Sequence, residues 1–154
     1  MPLYYDDELV ATIRVGSEAP IPYVMEKWVP KRPDSLQNLL SLSLPEGNTL
    51  TLRLGYDYVN DQRWDPENPI ATIAYNQVHE WTLLQTILHP FHLHLYHMQV
   101  VTPGGCGEHE EGQWYDTISA PGNCTVRFFT ADLGQMCVLH CHVLFHEDLS
   151  LIHI

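Results

Sequence analysis

Short alternating runs rich in β-branched, aromatic and leucine residues recur along this chain, and clusters of Gly and Pro close them. "TLTLRLGY" (49–56), "QVHEWTLL" (77–84), "HLHLYHMQVV" (92–101), "CTVRFFTA" (124–131) and "MCVLHCH" (136–142) all suit strands, as do "LLSLSL" (39–44) and "IATIAY" (70–75). "PEGN", "TPGGCG" and "SAPGN" supply the turns. Helical periodicity is nearly absent. Many short strands at regular turns leave an all-β sandwich or barrel as the fold class. A further run, "LVATIRV" (9–15), reads as a strand and is followed by residues 16–35, which carry four prolines and suit an irregular crossing. The segment "GYDYVNDQRWDPENP" (55–69) reads as loop.

Charge narrows the partners. A formal net charge of -12 argues against nucleic acid, whose binding rests on basic surface. No apolar run approaches the ~18 residues of a membrane-spanning helix. The carboxylates are dispersed, as in "YYDDE" and "GEHEEGQ", and read as solvated acidic surface. Residues 1–25 lack the basic-then-apolar pattern of a signal peptide. Of the four cysteines, Cys106 and Cys124 flank a hairpin-like segment and could pair, although spacing alone leaves the pairing open. Asn123-Cys124-Thr125 fits the glycosylation sequon, a tripeptide that also occurs by chance.

The histidines carry the chemistry. There are ten, and six fall in two short segments, "HPFHLH" (89–94) and "HCHVLFH" (140–146). Side chains alternate faces along a strand. His140 and His142 therefore share one face and Cys141 takes the other. His92 and His94 share a face, with His89 directed away from them. Two strands so marked, set side by side, generate two donor sets. One holds His89, Cys141 and His146, a thiolate with two imidazoles, the set that suits a blue copper ion. The other holds His92, His94, His140 and His142, a harder all-imidazole set. Cys141 is covalently joined to both neighbours, so the two sets are linked through a very short stretch of backbone.

"HPFHLH" with "HCHVLFHED" resembles the C-terminal cupredoxin domain of the multicopper oxidases. Within that family it is similar to the bilirubin oxidases and the bacterial spore-coat laccases, in which Leu also follows the first motif, as Leu95 does here, and "HED" closes the second. "VNDQRWDP" (59–66), "VHEWTLL" (78–84) and "GQWYDTISAPGNCTVRF" (112–128) have similar counterparts in the family. The resemblance covers residues 37–148 and implies a Greek-key cupredoxin β-sandwich. It implies type 1 copper on His89, Cys141 and His146, type 2 copper on His92, and the type 3 pair on His94, His140 and His142. It gives Glu147 a part in delivering protons to reduced dioxygen, whose conversion to water consumes protons. The implied activity is that of an oxidase taking electrons from a small reducing substrate at the type 1 copper, through the open edge of His146, and passing them to O2. Val143 and Phe145 would supply apolar cover around Cys141 and tune its copper. The implied location is secreted, periplasmic, or at the cell or spore surface.

The chain also departs from that pattern. The family's trinuclear cluster draws on two further His-x-His motifs in its first domain, and no such pair precedes His89. The axial methionine would fall at position 151, which is Leu151; a genuine Leu there, as some laccases have, would raise the copper's potential. The tail "LSLIHI" matches an in-frame translation of a common sequencing-library transposase adapter, so residues 149–154 are expected to be non-native. Residues 1–16 resemble the last strand of a preceding cupredoxin domain, 17–36 a linker, and 37–148 the C-terminal domain. An isolated piece of this kind is expected to lack oxidase turnover, with the missing cupredoxin domains supplied in cis or by a partner subunit.

Rival readings meet specific obstacles. Structural zinc favours four ligands in one closed tetrahedral site, whereas strand parity divides these ligands over two faces. A cupin would want Glu a few residues after His-x-His, where Met98 and Gln99 stand. A mononuclear electron-transfer domain uses His89, Cys141 and His146 but leaves the other four histidines idle. A copper-binding module completed by a partner subunit uses all of them. Outside the motifs, His79 and His97 read as satisfied strand histidines, His109 as an exposed loop residue and Cys137 as a buried free thiol. Trp81, Trp114 and Phe91 read as core, and Asp116 as a residue that orders a loop.

Overall fold

The computed structural model describes residues 36–101, 104–131, 136–143 and 146 with their side chains, and the backbone of Pro2–Tyr5, Glu8–Thr12 and Ile152–His153. The chain divides into two compact units, Met1–Asp34 and Ser35–Ile154. In the first, β1 (Pro2–Tyr5) and β2 (Glu8–Thr12) form an antiparallel pair with a register shift between Leu3 and Tyr4. The strand expected from "LVATIRV" is β2, and β1 was not expected.

The second unit holds nine strands among its described residues: β3 (Thr49–Arg53), β4 (Val78–Leu84), β5 (Phe91–Leu93), β6 (Met98–Val100), β7 (Trp114–Tyr115), β8 (Thr117–Ile118), β9 (Cys124–Phe129), β10 (Val138–Cys141) and β11 (Ile152–His153). They form two sheets, ordered β3-β4-β9-β6-β7 and β11-β10-β5-β8. β3 and β4 run parallel, and the other pairs are antiparallel. One apolar cluster joins the two sheets. Leu52, Trp81, Leu83, Met98, Val126 and Phe128 come from the first sheet, and Phe91, Leu93, Ile118, Leu139 and Cys141 from the second. The fold is thus an all-β, cupredoxin-like sandwich with its core between the sheets. Trp81 and Phe128 meet edge to face at 4.6 Å, the arrangement aromatic quadrupoles favour.

Three expected strands differ. "LLSLSL" begins as a 3-10 turn over Leu39–Ser41, because the side chain of Asn38 caps Leu40 N and buried Gln99 accepts from Leu39 N. "IATIAY" runs without strand structure, although Ile70 and Ile73 still pack against the core. "HLHLYHMQVV" is not one strand. It breaks at Leu95, whose φ of 69° is left-handed, and β6 then joins the opposite sheet. The chain makes a second such change in "WYDTI". There β7 pairs with β6 in one sheet, and β8, after Asp116, pairs with β5 in the other.

The disulfide left open by spacing is present between Cys106 and Cys124, both fully buried. Arg127 in β9 pins the 3-10 turn to the sheet. Its guanidinium pairs with Glu80 at 2.8 Å and donates to the carbonyls of Leu39 and Leu42.

Candidate metal centres

β10 and β5 pair antiparallel, with His140 opposite His92 and Cys141 opposite Phe91. Alternation then does the sorting. Phe91, Leu93, Leu139 and Cys141 belong to the core cluster, and His92 and His140 stand on the other face. The backbone of His142 extends the pairing by donating to Pro90 O.

On the core side, His89, Cys141 and His146 come together, with one ligand atom from each lying within 4.8 Å of the others. Cys141 is buried, and its Sγ accepts from Val143 N–H at 3.4 Å and lies 3.7 Å from His146 Nδ1. The N–H of His146 donates to the Val143 carbonyl at 2.8 Å. His89 Nδ1 is buried and has no hydrogen-bond partner among the described residues. A buried imidazole nitrogen without a donor or acceptor is costly, and a metal ion beside the thiolate would satisfy it. Burial, and next the neighbouring His146, hold the pKa of His89 below its usual value. The imidazole therefore stays neutral, the form that ligates. The His2Cys donor set fits copper.

On the opposite face, His92, His94 and His140 also bring ligand atoms within 4.8 Å of one another. The Nδ1–H of His92 donates to the Asp116 carbonyl at 2.8 Å, and the Nδ1–H of His140 donates to the Cys141 carbonyl at 3.0 Å. Each bond leaves Nε2 as the nitrogen with the lone pair and fixes the ring's orientation. The Nε2 atoms of His94 and His140 lie 2.9 Å apart. The ring of His142 lies 4.9 Å from that of His92 and 5.2 Å from that of His140, although it is not one of the three tightly grouped ligands. His94 and His142 are exposed. Glu147, Phe145 and Leu151 lie outside the described residues.

Two histidines outside the motifs differ from expectation. His97 is exposed in the link before β6, because the break at Leu95 removes it from any strand. His109 is half-buried, with Nε2 accepting from Ser119 N and its ring edge-on to Tyr115 at 4.4 Å, so it ties its loop to β8. His79 is a satisfied strand histidine, with Nε2 2.8 Å from the Ala74 carbonyl and its ring stacked on Phe128. Trp81 and Phe91 are core, whereas Trp114 is half-buried. Cys137 is a buried free thiol whose Sγ donates to the His94 carbonyl at 3.0 Å. Burial pushes its pKa up to about 11, so it remains a neutral thiol at neutral pH. Asp116 acts through its carbonyl, a role no side-chain pattern signals. Tyr56 was also missed, and its ring stands edge-on to His146 at 4.5 Å.

A profile of the multicopper oxidases matches residues 29–153. Among solved structures, a laccase from Pediococcus acidilactici is similar at 22% identity and a TM-score of 0.60, over 84% of this chain and 31% of its own. A multicopper oxidase from the same organism is similar at 25% identity and a TM-score of 0.59, over 84% of this chain and 30% of its own. A multicopper oxidase from Campylobacter jejuni, described as a metallo-oxidase, is similar at 17% identity and a TM-score of 0.58, over 73% of this chain and 30% of its own. The chain thus spans less than a third of each of these proteins.

Proposed function

Because this chain belongs to the multicopper oxidase family, we propose that it is the copper-binding C-terminal domain of an oxidase that takes electrons from a small reducing substrate and reduces O2 to water. In this reading His89, Cys141 and His146 hold a type 1 copper. His92, His94, His140 and His142 supply part of a type 2 and type 3 cluster. Copper at these positions supplies one-electron redox chemistry and the reduction of O2.

One observation carries the reading. Cys141 and His140 are adjacent in β10, belong to different donor sets, and are joined both by a peptide bond and by the bond from His140 Nδ1–H to the Cys141 carbonyl. A thiolate set and an imidazole set thus share one short connection, which a lone electron-transfer site would not need. The exposure of His94 and His142 supports the view that further ligands come from another domain, in cis or from a partner subunit. Glu147 is assigned the delivery of protons through the family resemblance, and the subgroup is that of bilirubin oxidases and spore-coat laccases. The disulfide supports an oxidising location, secreted, periplasmic or at the surface.

The test is copper loading of the purified chain. The expected product has an intense thiolate-to-copper band in the visible, and Cys141→Ser removes that band while leaving histidine-bound copper detectable by electron paramagnetic resonance. The chain alone is expected not to consume O2. Absence of the visible band from the unmodified chain, or its survival in Cys141→Ser, refutes the assignment.

A further inference from the structure

Two of the three residues in the thiolate donor set have evident supports. Cys141 is held in β10 by its pairing with β5. His146, whose edge was expected to be open, is half-buried with the Tyr56 ring edge-on at 4.5 Å. His89 belongs to no strand. It ends a turn that follows Gln85, whose φ of 64° is left-handed. Beyond His89, the Pro90 carbonyl accepts from His142 N–H at 2.8 Å, and β5 begins. Before His89 stand Ile87 and Leu88, 53% and 72% exposed, so burial does little to fix them. The first buried residue upstream of His89 is Thr86, which is fully shielded from water.

A buried hydroxyl needs partners, and Thr86 finds both of its partners on one residue. Its Oγ1 accepts from Ala120 N–H at 2.9 Å and donates to the Ala120 carbonyl at 3.3 Å. A threonine hydroxyl serves both roles at once, so the turn is fastened to the backbone of Ala120 by two bonds. Ala120 is itself buried and leads into residues 120–124. That segment is secured in turn. Gly122 N–H donates to the Gly105 carbonyl at 3.0 Å, and Cys124 is bonded to Cys106. The approach is close enough that a Cβ on Gly105 would overlap the Asn123 carbonyl, and Gly105 takes a φ of 87°. A line of contacts thus runs from the disulfide through Ala120 and Thr86 to the turn that carries His89.

We propose that Thr86 is a positioning residue for His89, and that the disulfide between Cys106 and Cys124 acts on the thiolate copper site through it. This rests on the assignment of His89, Cys141 and His146 to copper. The three ligand atoms lie within 4.8 Å of one another, and a trigonal His2Cys site depends on where each ligand is held. Cys141 and His146 arrive together from the C-terminal motif, so the shape of the set is decided by how His89 is brought to them. Without the Thr86 hydroxyl, the turn keeps its tether at Pro90 and loses the one at its start.

The experiment compares Thr86→Val, Thr86→Ser and Thr82→Val with the unmodified chain. Thr86→Val keeps the shape and loses both bonds, and Thr86→Ser keeps the hydroxyl. Thr82→Val removes a different hydroxyl, bonded to that of Thr125 between β4 and β9 at 3.3 Å. Thr86→Ala also removes both bonds and serves if valine prevents folding. Without metal, the imidazole nuclear magnetic resonance signals of His89 are expected to shift or broaden in Thr86→Val and to stay in place in Thr86→Ser and Thr82→Val. With copper, Thr86→Val is expected to lose the ion to a chelator about tenfold more readily, whereas Thr86→Ser and Thr82→Val stay within about twofold of the unmodified chain. The visible band and the electron paramagnetic resonance hyperfine coupling are expected to change in Thr86→Val alone of these three. The Cys106→Ala/Cys124→Ala variant is expected to move the same spectra in the same direction, and its combination with Thr86→Val to fall short of the sum. Fully additive effects overturn the link to the disulfide. His89 signals and copper retention in Thr86→Val and Thr86→Ala that match those of Thr82→Val, or a failure of Thr86→Ser to restore them, overturn the proposal while the copper assignment stands. Absence of the visible band from the unmodified chain overturns the copper assignment, and the metal-free His89 signals then decide the positioning role independently.

Discussion

At the scale of single residues, His79 offers a clean test of how burial is coupled to protonation. Burial holds its pKa below the usual value, partly opposed by its bond to the Ala74 carbonyl. The folded chain therefore binds this proton less readily than the unfolded chain. The associated stability is complete above about pH 6.5, the unfolded value, and is lost as pH falls through the lower folded value. His79→Gln keeps an N–H for the carbonyl and removes the titration. Denaturation midpoints of the two proteins, measured without metal from neutral pH downward, are expected to converge on the acid side. Parallel curves would show that His79 is not responsible. The placement of Cys141 opposite His140 was legible in the sequence because strand alternation requires no tertiary information. The carbonyl of Asp116 on His92 and the ring of Tyr56 on His146 were not legible. Every residue has a carbonyl, and the tyrosine meets its histidine only once distant loops are brought together.

Among elements, the anchoring of the 3-10 turn to β9 sets a second expectation. Arg127 and Glu80 are mostly shielded from water, with side chains 15% and 24% exposed. Removing the cation leaves a shielded carboxylate and takes the guanidinium donor from the Leu42 carbonyl, while the Leu39 carbonyl keeps the Leu42 N–H. Arg127→Leu is expected to cost about 3 kcal/mol in chemical denaturation, and a loss below about 1 kcal/mol would show that water replaces the guanidinium. The strands easiest to read, β4 and β9, combine β-branched or aromatic residues with a buried alternate face. The segments misread are those where the chain changes sheets or coils. "HLHLYHMQVV" keeps an alternating composition through Leu95, so nothing in its pattern announces the left-handed residue that divides β5 from β6. "IATIAY" has strand composition, yet its isoleucines reach the core without sheet pairing.

For the molecule as a whole, the disulfide between Cys106 and Cys124 closes a span of 18 residues. By the chain-entropy account, such a loop contributes about 3 kcal/mol. The Cys106→Ala/Cys124→Ala double variant, compared without metal, is expected to unfold at lower denaturant by that amount, and equal midpoints would refute the estimate. The sandwich class was legible because turn clusters and alternation repeat along the chain, whereas the exchange of strands between sheets needed coordinates. The pairing of β5 with β10 bears on the order of events in the cell. Each donor set combines ligands near residue 90 with ligands beyond residue 139. At ribosomal speeds of roughly 5–20 residues per second, His89 emerges several seconds before Cys141 and His146. During that interval a nascent chain displays these imidazoles without the thiol of Cys141, a set that suits zinc and nickel as well as copper. A donor set that favours a soft ion therefore exists only once Cys141 has been made and β10 can pair with β5.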